Sequence, residues 1–284
     1  MKKVITIVLV ITIIIGIGIL LYPLISNAIN DYYNTSNIQQ YDNQVNSLSD
    51  NDVDNILDKA KEYNRAVATS FYDNGVKNYG SDYKDIINSY DDILDFGNSL
   101  IGYIDIPSIN VYLPIYHGDL DNVLTKGSAH MEGTSFPIGG TGTHAVISAH
   151  SGYPQEKFFD DIDELKKNDT FIITILNKKL TYKVTDINIV KPSDTSHTQI
   201  KQDKDLVTLI TCYPYGVNSH RLLVTGERQL TNKVNHISQK KSHKQNISKF
   251  DVLIIPSFLI IFYGIIFFIK FYKKSWHYTT NVIL

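Results

Sequence analysis

Hydrophobic positions crowd the two ends of this 284-residue chain and are spread through its middle in short runs. Val4 to Leu21 is 18 residues without a charge, preceded by Lys2 and Lys3, and the uncharged stretch continues to Asn30. A bilayer-spanning helix needs about 20 apolar residues. Val252 to Ile269 is a second uncharged run of 18, between Asp251 and Lys270, with Pro256 in its first turns, where a missing N–H costs least. The competing readings are a cleaved leader, with small residues at Ser26-Asn27-Ala28, and a buried core helix. The first run exceeds the roughly 7–15-residue apolar core of a leader. The second is apolar all round. Both are read as transmembrane helices.

Lysine placement orients them. No Lys or Arg occurs from Val4 until Lys59, so the N-terminus is placed in the cytoplasm and the middle of the chain outside. Lys233, Lys240, Lys241, Lys244 and Lys249 precede the second span and, alone, would point it the other way. The first helix usually dominates, which keeps two spans and an extracellular middle.

That middle has two textures. Residues 31–98 hold no proline and are rich in Asp, Asn and Tyr. Ser49 with Asp52 resembles a capping box, and Val53, Ile56, Leu57, Ala60, Tyr63 and Val67 follow at helical spacing. A second helical pattern runs through Ile86, Ile87, Tyr90, Ile93 and Leu94. From Leu100 the chain changes to short runs rich in Val, Ile, Thr and Tyr. Strands are expected at Leu100–Ile106, Val111–Ile115, Ala145–Ala149, Thr170–Leu176, Leu180–Val190, Leu206–Thr211 and Arg221–Gly226. Phe158–Leu165 is the one helix candidate among them. So many closely spaced strands predict a closed or nearly closed β-barrel. The expected organisation is a cytoplasmic N-terminus and span at 1–25, a helical region that includes any lid at 26–98, a β-barrel at 99–230, a Lys-rich linker at 231–250, a span at 251–270 and a tail at 271–284.

Composition narrows the chemistry. The formal charge is −2, which argues against a nucleic-acid binder working through bulk positive charge. One cysteine excludes an internal disulfide framework and a Cys-rich zinc site. No His-Glu-x-x-His spacing occurs, and the aspartates at 50, 52, 54 and 58 lack the Gly and closing Glu of a calcium loop. Neither metal nor cofactor is expected.

Cys212 ends the apolar run Val207–Thr211, just before Tyr213-Pro214-Tyr215-Gly216 breaks it. Nine residues on, Arg221 opens the next run, so pairing as a hairpin would bring the two together. A guanidinium beside a thiol favours the thiolate and can stabilise an oxyanion. The bland alternatives are a small buried cysteine and a surface arginine. A cysteine nucleophile needs an acid or base, most often histidine. Of nine histidines, spacing leaves His130, His144 and His150, with a weak preference for His150 at a strand end.

Five blocks then resemble the sortase family. Thr208-Leu209-Ile210-Thr211-Cys212 is similar to the signature Thr-Leu-x-Thr-Cys. Asn218–Val224 resembles the strand carrying the sortase arginine, and Ile147–Gly152 the segment holding its histidine. Leu113–Gly118 and Gly133–Gly140 resemble two further blocks in the same order. The likeness covers residues 99–228. The Gly133–Gly140 block, the Tyr215–Asn218 approach to the arginine, the second span and the long helical region resemble class C, the pilin-polymerising sortases. Two departures stand out: no proline lies between Pro23 and Pro107 to form the Asp-Pro-aromatic lid anchor of that class, and Ser151 follows the histidine where Arg is common.

The resemblance implies a mainly β fold, a sortase-like barrel with a helical N-terminal region and a membrane helix at each end. It implies cleavage of a Leu-Pro-x-Thr-Gly-type sorting signal, with Cys212 as nucleophile, His150 as acid for the leaving amine and Arg221 on the oxyanion or substrate backbone. The acyl group would pass to a pilin lysine, or to a cell-wall precursor amine in an anchoring enzyme. A non-catalytic membrane-tethered scaffold that binds sorting signals is the alternative of another class. Partners would be pilin or surface-protein sorting signals, an amine acceptor and the cytoplasmic membrane. A lid, if present, would lie in residues 70–98, held by an aromatic–acidic pair such as Tyr72-Asp73, Asp82-Tyr83 or Asp95-Phe96.

Overall fold

The computed structural model describes residues 2–72, 81–118, 121–153 and 156–229. The expected second span, its linker and its tail lie outside these residues, as does the stretch 73–80.

Helix α1, Lys2–Asn46, runs unbroken through Pro23. Its most apolar 18-residue window has a mean hydropathy of 3.2 and no buried residue, so it is long and apolar enough to cross a membrane. The same helix changes character toward its C-terminus. Asn34, Ile38, Tyr41 and Val45 recur at helical spacing and are all buried. Tyr41 Oη donates to Ile101 O at 2.8 Å and accepts Leu176 N–H at 3.0 Å, while Gln44 Nε2 donates to Phe96 O. Helix α2, Asp50–Tyr72, starts at the predicted capping box. Ser49 Oγ accepts Asp52 N–H, and the Asp52 carboxylate accepts from Ser49 N–H. Leu57, Ala60, Tyr63 and Val67 form its buried stripe. Asn64 pairs with the Phe136 backbone as a strand would, its amide donating to Phe136 O and its oxygen accepting Phe136 N–H.

The second helical pattern is realised only in part. Helix α3 spans Ser81–Asn88, a single 3-10 turn follows at Tyr90–Asp92, and Ile93 and Leu94 lie beyond it. Leu94 sits at φ +62°, which ends any helix, yet Ile87, Tyr90, Ile93 and Leu94 are all buried. Of the possible lid pairs, Asp95-Phe96 is committed elsewhere. Asp95 Oδ1 accepts from Gly97 and Ser99 N–H, and the Phe96 ring packs edge-on against Tyr41 at 5.4 Å.

The barrel is closed and has eight strands: β1 Leu100–Ile106, β2 Val111–His117, β3 Ser128–His130, β4 Thr143–Ser148, β5 Thr170–Ile175, β6 Lys178–Val190, β7 Asp205–Tyr213 and β8 His220–Arg228. Their order around it is β1-β2-β3-β4-β7-β8-β6-β5, with β2–β3 and β4–β7 parallel. Seven of the eight match predicted runs to within two residues at either end. β3, at three residues, is too short to show an alternating pattern. The β5–β6 hairpin turns on Leu176 and Asn177, both at positive φ as a two-residue turn requires. Phe158–Leu165 is not a helix; a 3-10 turn at Ile162–Glu164 is all that forms.

An aromatic cluster welds α2 and the 3-10 turn to one side of the barrel. Tyr90 stacks on Phe136 at 5.2 Å, and Tyr63 packs on both rings. Tyr90 Oη accepts Gly118 N–H and meets His130 Nδ1 at 2.9 Å. His130 Nε2 donates to Ser135 O, and Tyr90 Oη also donates to His130 O at 2.9 Å. Complete burial pushes that imidazole down to about 3.

Candidate active site

Pairing on adjacent strands brings Cys212, His150 and Arg221 to one end of the barrel. β7 and β8 pair antiparallel with Cys212 directly opposite Arg221 and Tyr213 opposite His220. Directly opposed residues share a face, so Arg221 lies on the Cys212 face and His220 on the other. β4 and β7 pair in parallel, with Ser148 beside Ile210. Two residues further on, that register places His150 abreast of Cys212. The ladder reaches that far through side chains and backbone. Ala149 N–H donates to Ile210 O, Thr211 Oγ1 donates to Ala149 O at 2.8 Å, and Ser151 Oγ donates to Cys212 O at 2.7 Å. The interior face of the same strands is Ala145, Ile147, Val207, Leu209, Leu222 and Val224, all in the core. The three residues therefore share the outward face of a wall whose inner side is fixed by packing.

Cys212, His150 and Arg221 are each half-buried. Arg221 Nη1 donates to His220 O at 3.0 Å and Asn218 O at 3.3 Å, and among the described residues the guanidinium forms no salt bridge. The β7–β8 loop beside it presents Tyr215 and Val217, apolar side chains 66% and 68% exposed.

The other histidines left open by spacing are occupied. His144 is buried, its Nδ1 donating to Gln199 O and its Nε2 accepting from Thr208 Oγ1, and burial lowers its basicity. His130 is locked in the aromatic cluster. A cavity of about 340 Å³ lined by Ile138, Gly139, Leu180, Asp205 and Arg228 opens at the start of β7. It is seven residues, about 23 Å, from Cys212 along that strand, and so is separate from the end of the barrel that carries Cys212.

Sequence reasoning missed Glu156, six residues past His150. It is buried, and its carboxylate accepts from Asn34 Nδ2 of α1. Burial is the main cause that pushes this carboxyl up to about 7; the Asn34 bond opposes the shift and the nearby Asp31 adds to it. Tyr116 of β2 faces it too. A carboxyl raised above its unfolded value contributes stability fully below about pH 4.5 and loses it as pH rises through about 7. Glu156's contribution to the melting temperature should therefore fall on going from about pH 5 to about pH 8, against the rise that the buried neutral His130 and His144 give as pH climbs toward 6.5. Glu156→Gln should flatten that fall, and melts of both proteins across this window check it.

The chain from residue 104 to 229 matches the model of the sortase domain. It is similar to the crystal structure of sortase C1 from Streptococcus agalactiae, at 41% identity and a TM-score of 0.63, covering 69% of this chain and 100% of that one. It is similar to Clostridium perfringens sortase C, solved with the C-terminal cell wall sorting motif, at 42% identity and a TM-score of 0.59, covering 69% and 98%. Sortase D of Bacillus subtilis is 30% identical over 130 residues, 45% of this chain and 63% of that protein. The chain thus spans a little under two thirds of that relative's length.

Proposed function

Because the chain belongs to the sortase family, we propose that it is a membrane-anchored cysteine transpeptidase of the class C, pilus-assembling type. The observation that carries this reading is the pairing of Cys212 with Arg221, with His150 brought abreast by the β4–β7 register. The Cys212 thiolate attacks the Thr carbonyl of a Leu-Pro-x-Thr-Gly-type signal. The oxyanion forms against the Arg221 guanidinium. His150 gives its proton to the departing Gly amine as the C–N bond breaks, leaving a thioester. A lysine amine of a pilin subunit then attacks the thioester, giving its proton to the now neutral His150; the thiolate leaves, and an isopeptide bond remains.

Class C is favoured by the coverage of the likeness. It extends beyond the barrel to 69% of the chain, at 41% identity with a sortase C1, so it takes in part of the helical region clamped to the barrel. Exposed Tyr215 and Val217 offer an apolar wall for the Leu-Pro of a signal. The apolar half of α1, with no buried residue in its most apolar window, supports a membrane anchor, with the barrel on the extracellular side as lysine placement directs.

The full chain in detergent, mixed with a Leu-Pro-x-Thr-Gly peptide, should release the Gly-terminal fragment and gain the mass of the acyl remainder on Cys212. Adding a lysine-bearing pilin peptide should convert that adduct to an isopeptide product. No adduct at Cys212 would end the enzyme reading in favour of a sorting-signal scaffold. An adduct resolved only by cell-wall precursor amines would make it an anchoring sortase.

A further inference from the structure

We infer that Tyr153 is a positioning residue that sets the plane of the His150 imidazole. The inference rests on His150 being the acid of the proposed reaction. His150 lies two residues beyond the end of β4, so the contacts that continue the ladder set its backbone abreast of Cys212 but leave the plane of its ring undetermined. Among the described residues neither of its ring nitrogens has a hydrogen-bond partner. A ring with two free torsions and no polar tether would sample many orientations, and a misplacement of about 1 Å can cost about 100-fold in rate.

The contact that restrains it is a stack. The Tyr153 ring lies 5.4 Å from the His150 ring, centroid to centroid, with only 10° between the planes. That is the offset parallel arrangement aromatic pairs favour. Tyr153 is itself braced from behind. Its ring meets Phe158 at 5.7 Å, and Phe158 and Phe159 are buried in the core.

The backbone between the two rings is closed on itself. One Asp160 carboxylate accepts from Gly152 N–H at 2.9 Å and Phe158 N–H at 3.1 Å, and Phe159 N–H donates to His150 O at 3.0 Å. Gly152 turns the chain at φ +74°, which folds Tyr153 back over His150 and which a side chain would resist. Ser151 Oγ fixes the same loop to the Cys212 carbonyl. Backbone position is therefore set by Ser151 and Asp160, and what remains, the ring plane, is set by Tyr153.

The test uses the full chain in detergent, with labelled histidine observed by NMR and turnover measured on a Leu-Pro-x-Thr-Gly peptide. The His150 ring resonance is identified by its loss in His150→Gln. Tyr153→Ala should move that resonance out of the ring-current shift and lower kcat by about tenfold with KM little changed. Tyr153→Phe should preserve both. A resonance unmoved by Tyr153→Ala overturns the inference. So does a change confined to KM, which would make Tyr153 a substrate contact, or a Phe variant as poor as Ala, which would assign the effect to the hydroxyl. If Tyr153→Ala does not give a cooperative melt, Tyr153→Leu replaces it under the same criteria, keeping an apolar contact with Phe158 but no ring face. Failure of the underlying reading shows separately: His150→Gln with wild-type turnover removes the acid role whatever the resonance does.

Discussion

Cys212→Ala gives a folded protein without measurable transpeptidation. The strand that carries Cys212 is held on both sides, by β4 in parallel and β8 antiparallel, through backbone bonds that do not involve the thiol. Cys212 is half-buried, so removing its sulfur leaves no closed core cavity; the stability loss should stay within about 1 kcal/mol. Chemistry has no substitute. It is the chain's one thiol, and without it no thioester forms; loss of a nucleophile costs at least about 10⁴-fold in kcat/KM. Peptide cleavage and intact mass, beside a thermal melt, check the expectation. Cleavage by the Ala variant within a hundredfold of the parent would sink the covalent mechanism.

Arg221→Lys should lose about 100-fold in kcat/KM, about 2.7 kcal/mol of transition-state stabilisation, although the charge is kept. The guanidinium is held in its plane by Nη1 donating to two backbone carbonyls, His220 O and Asn218 O, while its strand fixes it opposite Cys212. A planar fork can satisfy those carbonyls with one nitrogen and offer its remaining N–H groups to a developing oxyanion. Lysine has one nitrogen on a flexible stem and cannot do both. The expected signature is a fall in kcat with an unchanged melting temperature. A Lys variant within threefold of wild type would reduce Arg221 to an electrostatic neighbour.

The parts of this architecture legible in the sequence are those decided locally. Ser49 and Asp52 announce the start of α2 because capping is a four-residue event. The Cys212–Arg221 pair could be anticipated because a hairpin maps spacing along the chain onto adjacency in space. His150 could not be separated from His130 and His144 on residue type. The sortase-like block Ile147–Gly152 singled out His150, and the fold adds the burial and hydrogen bonding that occupy the other two. The same limit explains Phe158–Leu165. Its apolar residues Phe158, Phe159, Ile162 and Leu165 have helical spacing and are all buried. Asp160 spends its carboxylate on Gly152 and Phe158 N–H groups instead, closing a loop where a helix was expected. In residues 86–94 the periodicity marks burial but not conformation, because Ile93 and Leu94 are buried just past the 3-10 turn, at extended and left-handed backbone rather than in a helix.

The parallel pairing of β4 with β7 also fixes when the site comes into being as the chain folds. Cys212 and Arg221 are nine residues apart and meet as soon as one hairpin closes. His150 and Cys212 are 62 residues apart, with β5 and β6 between them in sequence. Closing the longer loop costs about 1.7 kcal/mol more entropy, and it is the non-local contacts that slow folding. If the proposed roles of Cys212, His150 and Arg221 hold, the thiol would acquire its cation before its imidazole, and a partly folded chain would carry a cysteine without its proton donor, withholding acyl transfer until the barrel closes.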